Sequence, residues 1–108
     1  MRFGAYTCRA ASTCAERPGS LGRETLDATT YAAWGVDLLK EDSCFTAGDN
    51  ESLAIEQYSR MRDALNATGR PILFALCGWF PWYASDTFSR IGNMRRIGLD
   101  SNDWPVDP

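Results

Sequence analysis

Histidine is the most informative absence, since none occurs among the 108 residues. Its loss removes Ser-His and Cys-His nucleophile pairs together with the commonest metal ligand. Acid–base work in this chain therefore falls to carboxylates, lysine, tyrosine or cysteine. The four cysteines, at positions 8, 14, 44 and 77, follow no CxxC spacing, and without histidine no zinc site is expected. A disulfide among some of them is open. No apolar run reaches the length of a membrane span, and no GxGxxG or P-loop fingerprint is present to cradle a nucleotide. Internal repeats and low-complexity tracts are also missing. Basic charge is sparse. A net charge of −3 and a pI near 4.8 give no electrostatic reason to bind nucleic acid, and Arg95-Arg96 is too short to form a patch. The start, Met1 to Cys8, has no charged n-region, apolar h-region or cleavage site and reads as a core strand. The end, Asn102 to Pro108, has no helix stop or cap, so a section cut from a longer chain at both ends is expected.

What is present fits a globular chain. A hydrophobic share of 44% excludes disorder and fibrous structure, and the length allows one domain at most or part of one. Residues 2–7 read as a strand, followed by a Gly/Ser/Pro-rich loop over 9–22. The segment 24–34 reads as a helix, with Leu26, Thr30, Ala33 and Trp34 at i, i+4, i+7 and i+8 and Gly35 as its stop. A second strand covers 36–40. A second helix covers 51–66, with Ala54, Tyr58, Met61 and Leu65 inward. The run PILFALC, residues 71–77, suits a strand buried on both faces. Residues 85–92 suit a short helix and 94–100 a fourth strand. Alternation of strand and helix predicts an α/β fold with a parallel sheet and helices outside.

Chemistry in such folds collects where the carboxyl ends of strands converge on one mouth. Val36 to Cys44 reads as a strand running into Lys40, Asp42 and Cys44. Residues two apart in extended backbone leave the same face, so Lys40 and Asp42 point together. A cation beside a carboxylate keeps it ionised. An aspartate in such a place also serves as a turn or capping residue. Asp100, preceded by Arg96, ends the fourth predicted strand, and Tyr6 ends the first. Two carboxylates on different strand ends suit glycoside hydrolysis, which needs one ionised and one protonated group ~5–5.5 Å apart for retention. The aromatics Trp79, Trp82 and Tyr83 suit stacking on a sugar, or equally packing at a barrel rim. Two sequons, Asn50-Glu51-Ser52 and Asn66-Ala67-Thr68, matter only in a secreted chain.

From Phe3 to about Trp104 the sequence resembles the α-galactosidases (melibiases) of glycoside hydrolase family 27. The resemblance lies in Gly4-Ala5-Tyr6, Thr13-Cys14-Ala15, Arg17-Pro18-Gly19-Ser20-Leu21-Gly22 and Asp27-Ala28. It continues through Trp34-Gly35-Val36-Asp37-Leu38-Leu39-Lys40-Glu41-Asp42-Ser43-Cys44 and Ala64-Leu65-Asn66-Ala67-Thr68-Gly69-Arg70-Pro71-Ile72. What the resemblance implies is a partial (β/α)8 TIM barrel. Residues 1–108 would supply about four β/α units, roughly strands three to six, as a fragment of one catalytic domain.

The implied activity is that of a retaining exo-glycosidase that hydrolyses terminal α-D-galactosyl residues, the fragment alone being inactive. In the implied roles Asp42 is the nucleophile and Asp100 the acid/base. Tyr6, Lys40, Arg96 and Trp82 bind the substrate, and Cys14–Cys44 is a disulfide. The two aspartates need surroundings that push their pKa values apart. No metal and no organic cofactor is implied. The partner is a galactoside or oligosaccharide, with no nucleic acid or membrane, and the full-length protein is compatible with a homodimer. A secreted or lysosomal/vacuolar location follows from the family alone.

Several positions depart from the family pattern. Gly78 precedes Trp79 where a glutamate usually reads the sugar's 2-position, which opens an α-N-acetylgalactosaminidase or β-L-arabinopyranosidase as the alternative. Met94-Arg95 replaces Ser-Trp, Leu99 replaces Gly, and Cys8 stands where Asp is frequent. A non-catalytic sugar-binding relative is the alternative from another class. Cys77 reads as a free buried thiol that packs in the core.

Overall fold

Strand and helix alternate in the expected order: β1 (Gly4–Cys8), α1 (Glu24–Ala33), β2 (Leu38–Asp42), α2 (Glu51–Ala67), β3 (Leu73–Leu76), α3 (Asp86–Ile91) and β4 (Met94–Arg95). The structure, a computed structural model, describes residues 2–45, 50–78, 82 and 85–96. Among the described residues the sheet's strands pair in parallel in the order β1-β2-β3-β4, so each helix bridges two adjacent parallel strands. This is the α/β architecture read from the sequence.

Register decides which side chains share a face. Tyr6 pairs with Lys40, Lys40 with Ala75 and Ala75 with Met94, while Thr7 pairs with Glu41, Glu41 with Leu76 and Leu76 with Arg95. Side chains alternate along a strand, so these two rows lie on opposite faces. On the helix-facing side Leu39, Phe74 and Leu76 pack with Ala28, Ala54, Tyr58, Met61, Leu65, Phe88 and Ile91. The Tyr58 ring stands edge-on to Phe74 and to Phe88, with centroids 6.4 and 6.2 Å away. Burying each large apolar side chain here contributes ~1.5–3 kcal/mol.

Helix α2 presents the inward face expected of it, with Ala54, Tyr58, Met61 and Leu65 all buried. Asn50 caps it by accepting from the Leu53 amide at 2.9 Å, and Gly69, at φ +76°, turns the chain out. Helix α1 falls where the sequence placed it, but its apolar spacing does not mark the buried face. Leu26 and Trp34 are 64% and 65% exposed, whereas Glu24 and Ala28 are buried and Tyr31 is partly buried against the core. A polar network holds this inward side: Thr7 Oγ1 and Ser20 Oγ lie 2.6 Å apart, and the Ser20 hydroxyl donates to Asp27 Oδ2 at 2.8 Å. Small and polar residues make that face, so apolar periodicity pointed to the wrong one. Strand β2 runs Leu38–Asp42 rather than 36–40, which makes Asp42 its last residue. The fourth strand covers Met94–Arg95 and stops before Arg96; the rest of the stretch expected of it, 97–100, lies outside the described residues.

Glu41 sits between Lys40 and Asp42 but faces the helices. It is fully buried, and among the described residues neither carboxyl oxygen has a hydrogen-bond partner. Burial, and then the charge of Glu24, pushes its carboxyl well above the usual range; Arg9 opposes this and Asp27 adds to it. A raised acid costs nothing below its unfolded pKa, and stability is lost as pH rises from there toward the folded value. Glu41→Met is therefore expected to stabilise the protein more at pH 8 than at pH 4 in chemical denaturation. An equal effect at both values contradicts a buried, unpartnered acid.

Candidate active site

Pairing of β1 with β2 sets Cys8 level with Asp42 at the carboxyl ends of the strands, with Tyr6 and Lys40 one step behind on the same face. The Tyr6 hydroxyl donates to Asp42 Oδ2 at 2.8 Å, and the Ser43 amide donates to Asp42 Oδ1 at 2.8 Å. Each carboxylate oxygen thus has its own donor, one from β1 and one from the turn after β2. Burial of the phenol raises the Tyr6 pKa, and its bond to Asp42 and the charge of Asp42 raise it further. Tyr6 accordingly remains a protonated donor across the working pH range. Lys40 Nζ lies 5.8 Å from the Tyr6 ring centroid, close enough for a cation–π contact.

The loop over 9–22 folds back on the end of β1. Ser20 donates its amide to the Cys8 carbonyl and Gly19 to that of Ala11, both at 2.8 Å. A side chain at 19 would strike the Ala10 carbonyl oxygen, so only glycine lets the two backbone segments meet. This fold delivers Cys14 to Cys44, and the two form a disulfide with Cα atoms 5.0 Å apart. Cys14 Sγ lies 3.9 Å from Asp42 Oδ2, and Cys44 Sγ lies 3.9 Å from the Tyr6 hydroxyl. Closing a loop across 30 residues contributes ~3–4 kcal/mol in the chain-entropy picture. Cys14, Asp42 and Cys44 offer ligand atoms within 4.8 Å of one another. With the two sulfurs bonded, neither supplies the thiolate a metal would need.

Arg96 reaches the same mouth from the end of β4. Its amide donates to the Leu76 carbonyl at 2.9 Å, and its Nη1 lies 3.8 Å from Cys77 Sγ. Lys40, Ala75, Cys77, Met94 and Arg96 line a groove of about 280 Å³ beside Asp42's strand. Cys8 and Cys77 are free and buried, and burial pushes both thiols up, which makes them poor nucleophiles.

The structure thus brings Tyr6, Lys40, Asp42, Cys14 and Cys44 together, with Arg96 across the groove. It does not bring Trp82 with them: that ring packs on Phe88, centroids 5.4 Å apart, against the core behind the sheet. Asp100 lies outside the described residues, as do Trp79 and Tyr83. Ser43 and the buried Arg9 escaped the sequence reading. Ser43 is adjacent to Asp42, but the aim of an amide depends on a turn whose geometry has no periodic signature.

Parallel β/α units with an acid, a lysine and an arginine gathered at the strand ends have the layout of a section of a (β/α)8 barrel, whose chemistry lies at that end. A family model, described as alpha galactosidase A, matches residues 1–106, and the chain belongs to that family. The α-galactosidase mel1 of Schizosaccharomyces pombe is 47% identical over 104 residues, 92% of this chain and 23% of that protein. The crystal structure of α-galactosidase I from Mortierella vinacea matches with a TM-score of 0.81 at 40% identity, covering 90% of this chain and 25% of that one. A Saccharomyces cerevisiae α-galactosidase solved with raffinose matches with a TM-score of 0.76 at 39% identity, over 88% of this chain and 22% of that one. The chain spans about a quarter of the length of the curated relatives it matches.

Thiol titration checks the cysteine assignment. The unfolded, unreduced chain is expected to give two reactive thiols, Cys8 and Cys77, and four after reduction. Four before reduction contradicts the disulfide.

Proposed function

We propose that the full-length protein is a retaining exo-α-galactosidase and that residues 1–108 are part of its catalytic domain. The observation that supports this most is the Asp42 carboxylate, fixed through both oxygens at a strand end beside Lys40 and Tyr6. In this reading Asp42 attacks the anomeric carbon of a terminal α-galactoside. The sugar–oxygen bond breaks, the leaving oxygen takes a proton from Asp100, and a covalent glycosyl-enzyme forms. Asp100 then removes a proton from water, which displaces Asp42 and restores the anomeric configuration. Two carboxyl groups and a water complete the reaction, so it calls for no metal or organic cofactor.

Lys40 and Arg96 suit the sugar hydroxyls as donors that cannot accept, and Tyr6 spends its proton on Asp42. The relative solved with raffinose supports a terminal α-galactosyl group on an oligosaccharide as the substrate class. The 108-residue chain alone is inactive in this reading, because an open sheet leaves the pocket without its other strands. A secreted or lysosomal/vacuolar location and a homodimer of the full-length protein belong to the same proposal.

Asp42→Asn in the full-length protein is expected to lower hydrolysis of a nitrophenyl α-galactoside on the order of a thousandfold. NMR of the first-formed product is expected to show the α anomer. Undiminished turnover in Asp42→Asn, or a β-anomeric first product, overturns the mechanism.

Gly78, buried at the end of β3 next to Cys77, favours a second reading with room for a larger group at the sugar's 2-position. If it governs that position, the parent hydrolyses the nitrophenyl α-N-acetylgalactosaminide, and Gly78→Glu shifts preference toward the galactoside. Equal preference in both proteins excludes that reading.

A further inference from the structure

A charged side chain lies buried behind the candidate nucleophile, and nothing in the reaction just described employs it. Arg9 is 1% exposed, at the start of the loop that follows β1. Its amide donates to the Asp42 carbonyl at 2.9 Å. Its Nε donates to Ser43 Oγ at 2.8 Å and its Nη1 to Gln57 Oε1 at 2.6 Å, while the guanidinium lies 5.3 Å from the Tyr58 ring centroid. A guanidinium can only donate, so Ser43 Oγ accepts from it. Tyr58 has one hydroxyl proton and donates it to the Cys77 carbonyl at 2.7 Å. Ser43 Oγ, 2.6 Å from that hydroxyl, must therefore give its own proton to Tyr58. The order of donation is fixed from end to end: Arg9 to Ser43, Ser43 to Tyr58, Tyr58 to the end of β3.

This chain of bonds pins Ser43, whose backbone N–H is aimed at Asp42 Oδ1. With its hydroxyl held on two sides inside the core, Ser43 cannot rotate its peptide away from the carboxylate. We propose that Arg9 is a positioning residue for Asp42, acting through Ser43, with Tyr58 tying the same turn to β3. The proposal rests on the reading of Asp42 as nucleophile. It adds that the reactive oxygen's direction is set from the helix side of the sheet, by residues that never touch the sugar. Small misplacement of a reacting atom is costly at the transition state and nearly silent in substrate binding.

The test is a double-mutant cycle in the full-length protein with a nitrophenyl α-galactoside, using Ser43→Ala, Arg9→Met and the pair. Each single change is expected to lower kcat about tenfold with KM within about twofold, and the double to be no worse than the poorer single. Unchanged kcat in a folded Ser43→Ala overturns the proposal, and so do losses that multiply in the double. If Arg9→Met does not fold, Tyr58→Phe replaces it in the cycle, with the same expected and contrary results. Asp42→Gly with added azide separates this claim from the one beneath it. Recovery of turnover as β-galactosyl azide upholds the nucleophile, so parental rates in the cycle would then sink the positioning role alone. Undiminished turnover in Asp42→Gly without azide sinks both.

Discussion

The arrangement depends on the in-register parallel pairing of β1 with β2. That pairing sets Tyr6 beside Lys40 and Cys8 beside Asp42, and it brings the Tyr6 hydroxyl to the carboxylate. It also sets Thr7 beside Glu41 on the opposite face. A slip of one residue would exchange the faces, burying Asp42 among the helices and sending Glu41 to the mouth. Two adjacent acids therefore meet opposite fates from the two-residue period of a strand. Asp42 has a donor on each oxygen, whereas Glu41 has none among the described residues and is pushed toward its neutral form.

The loop over 9–22 serves both faces. On the mouth side it delivers Cys14 to Cys44, which places a disulfide against the Asp42 carboxylate. On the helix side it begins with Arg9 and ends near Ser20, whose hydroxyl joins Thr7 to Asp27 of α1. Buried polar groups are tolerable only when bonded, and these bonds run between elements distant in the chain. Polar contacts thus fix the turn around Asp42, while the apolar cluster of α2, α3, β2 and β3 holds the sheet beneath it.

Much of this was legible in the sequence. Alternation of strand and helix gave the α/β order, and the i, i+4, i+7 spacing of Ala54, Tyr58, Met61 and Leu65 gave the buried face of α2. The spacing of Lys40 and Asp42 placed them on one face. The Cys14–Cys44 bond was legible only through family resemblance, because four cysteines by themselves allow several pairings. Helix α1 was legible as a helix but its buried face was not, because its inward side is polar and small. Arg9 was invisible for another reason: its bonds to Ser43 and Gln57 span 34 and 48 residues and leave no local trace. The same alternation that aligned Lys40 with Asp42 already implied that Glu41 faces the core.

The most direct measurement is to trap the glycosyl-enzyme of the full-length protein with an activated fluorogalactoside and locate the added mass by peptide sequencing. The account predicts the sugar on the carboxylate of Asp42. A sugar found on any other side chain would contradict it.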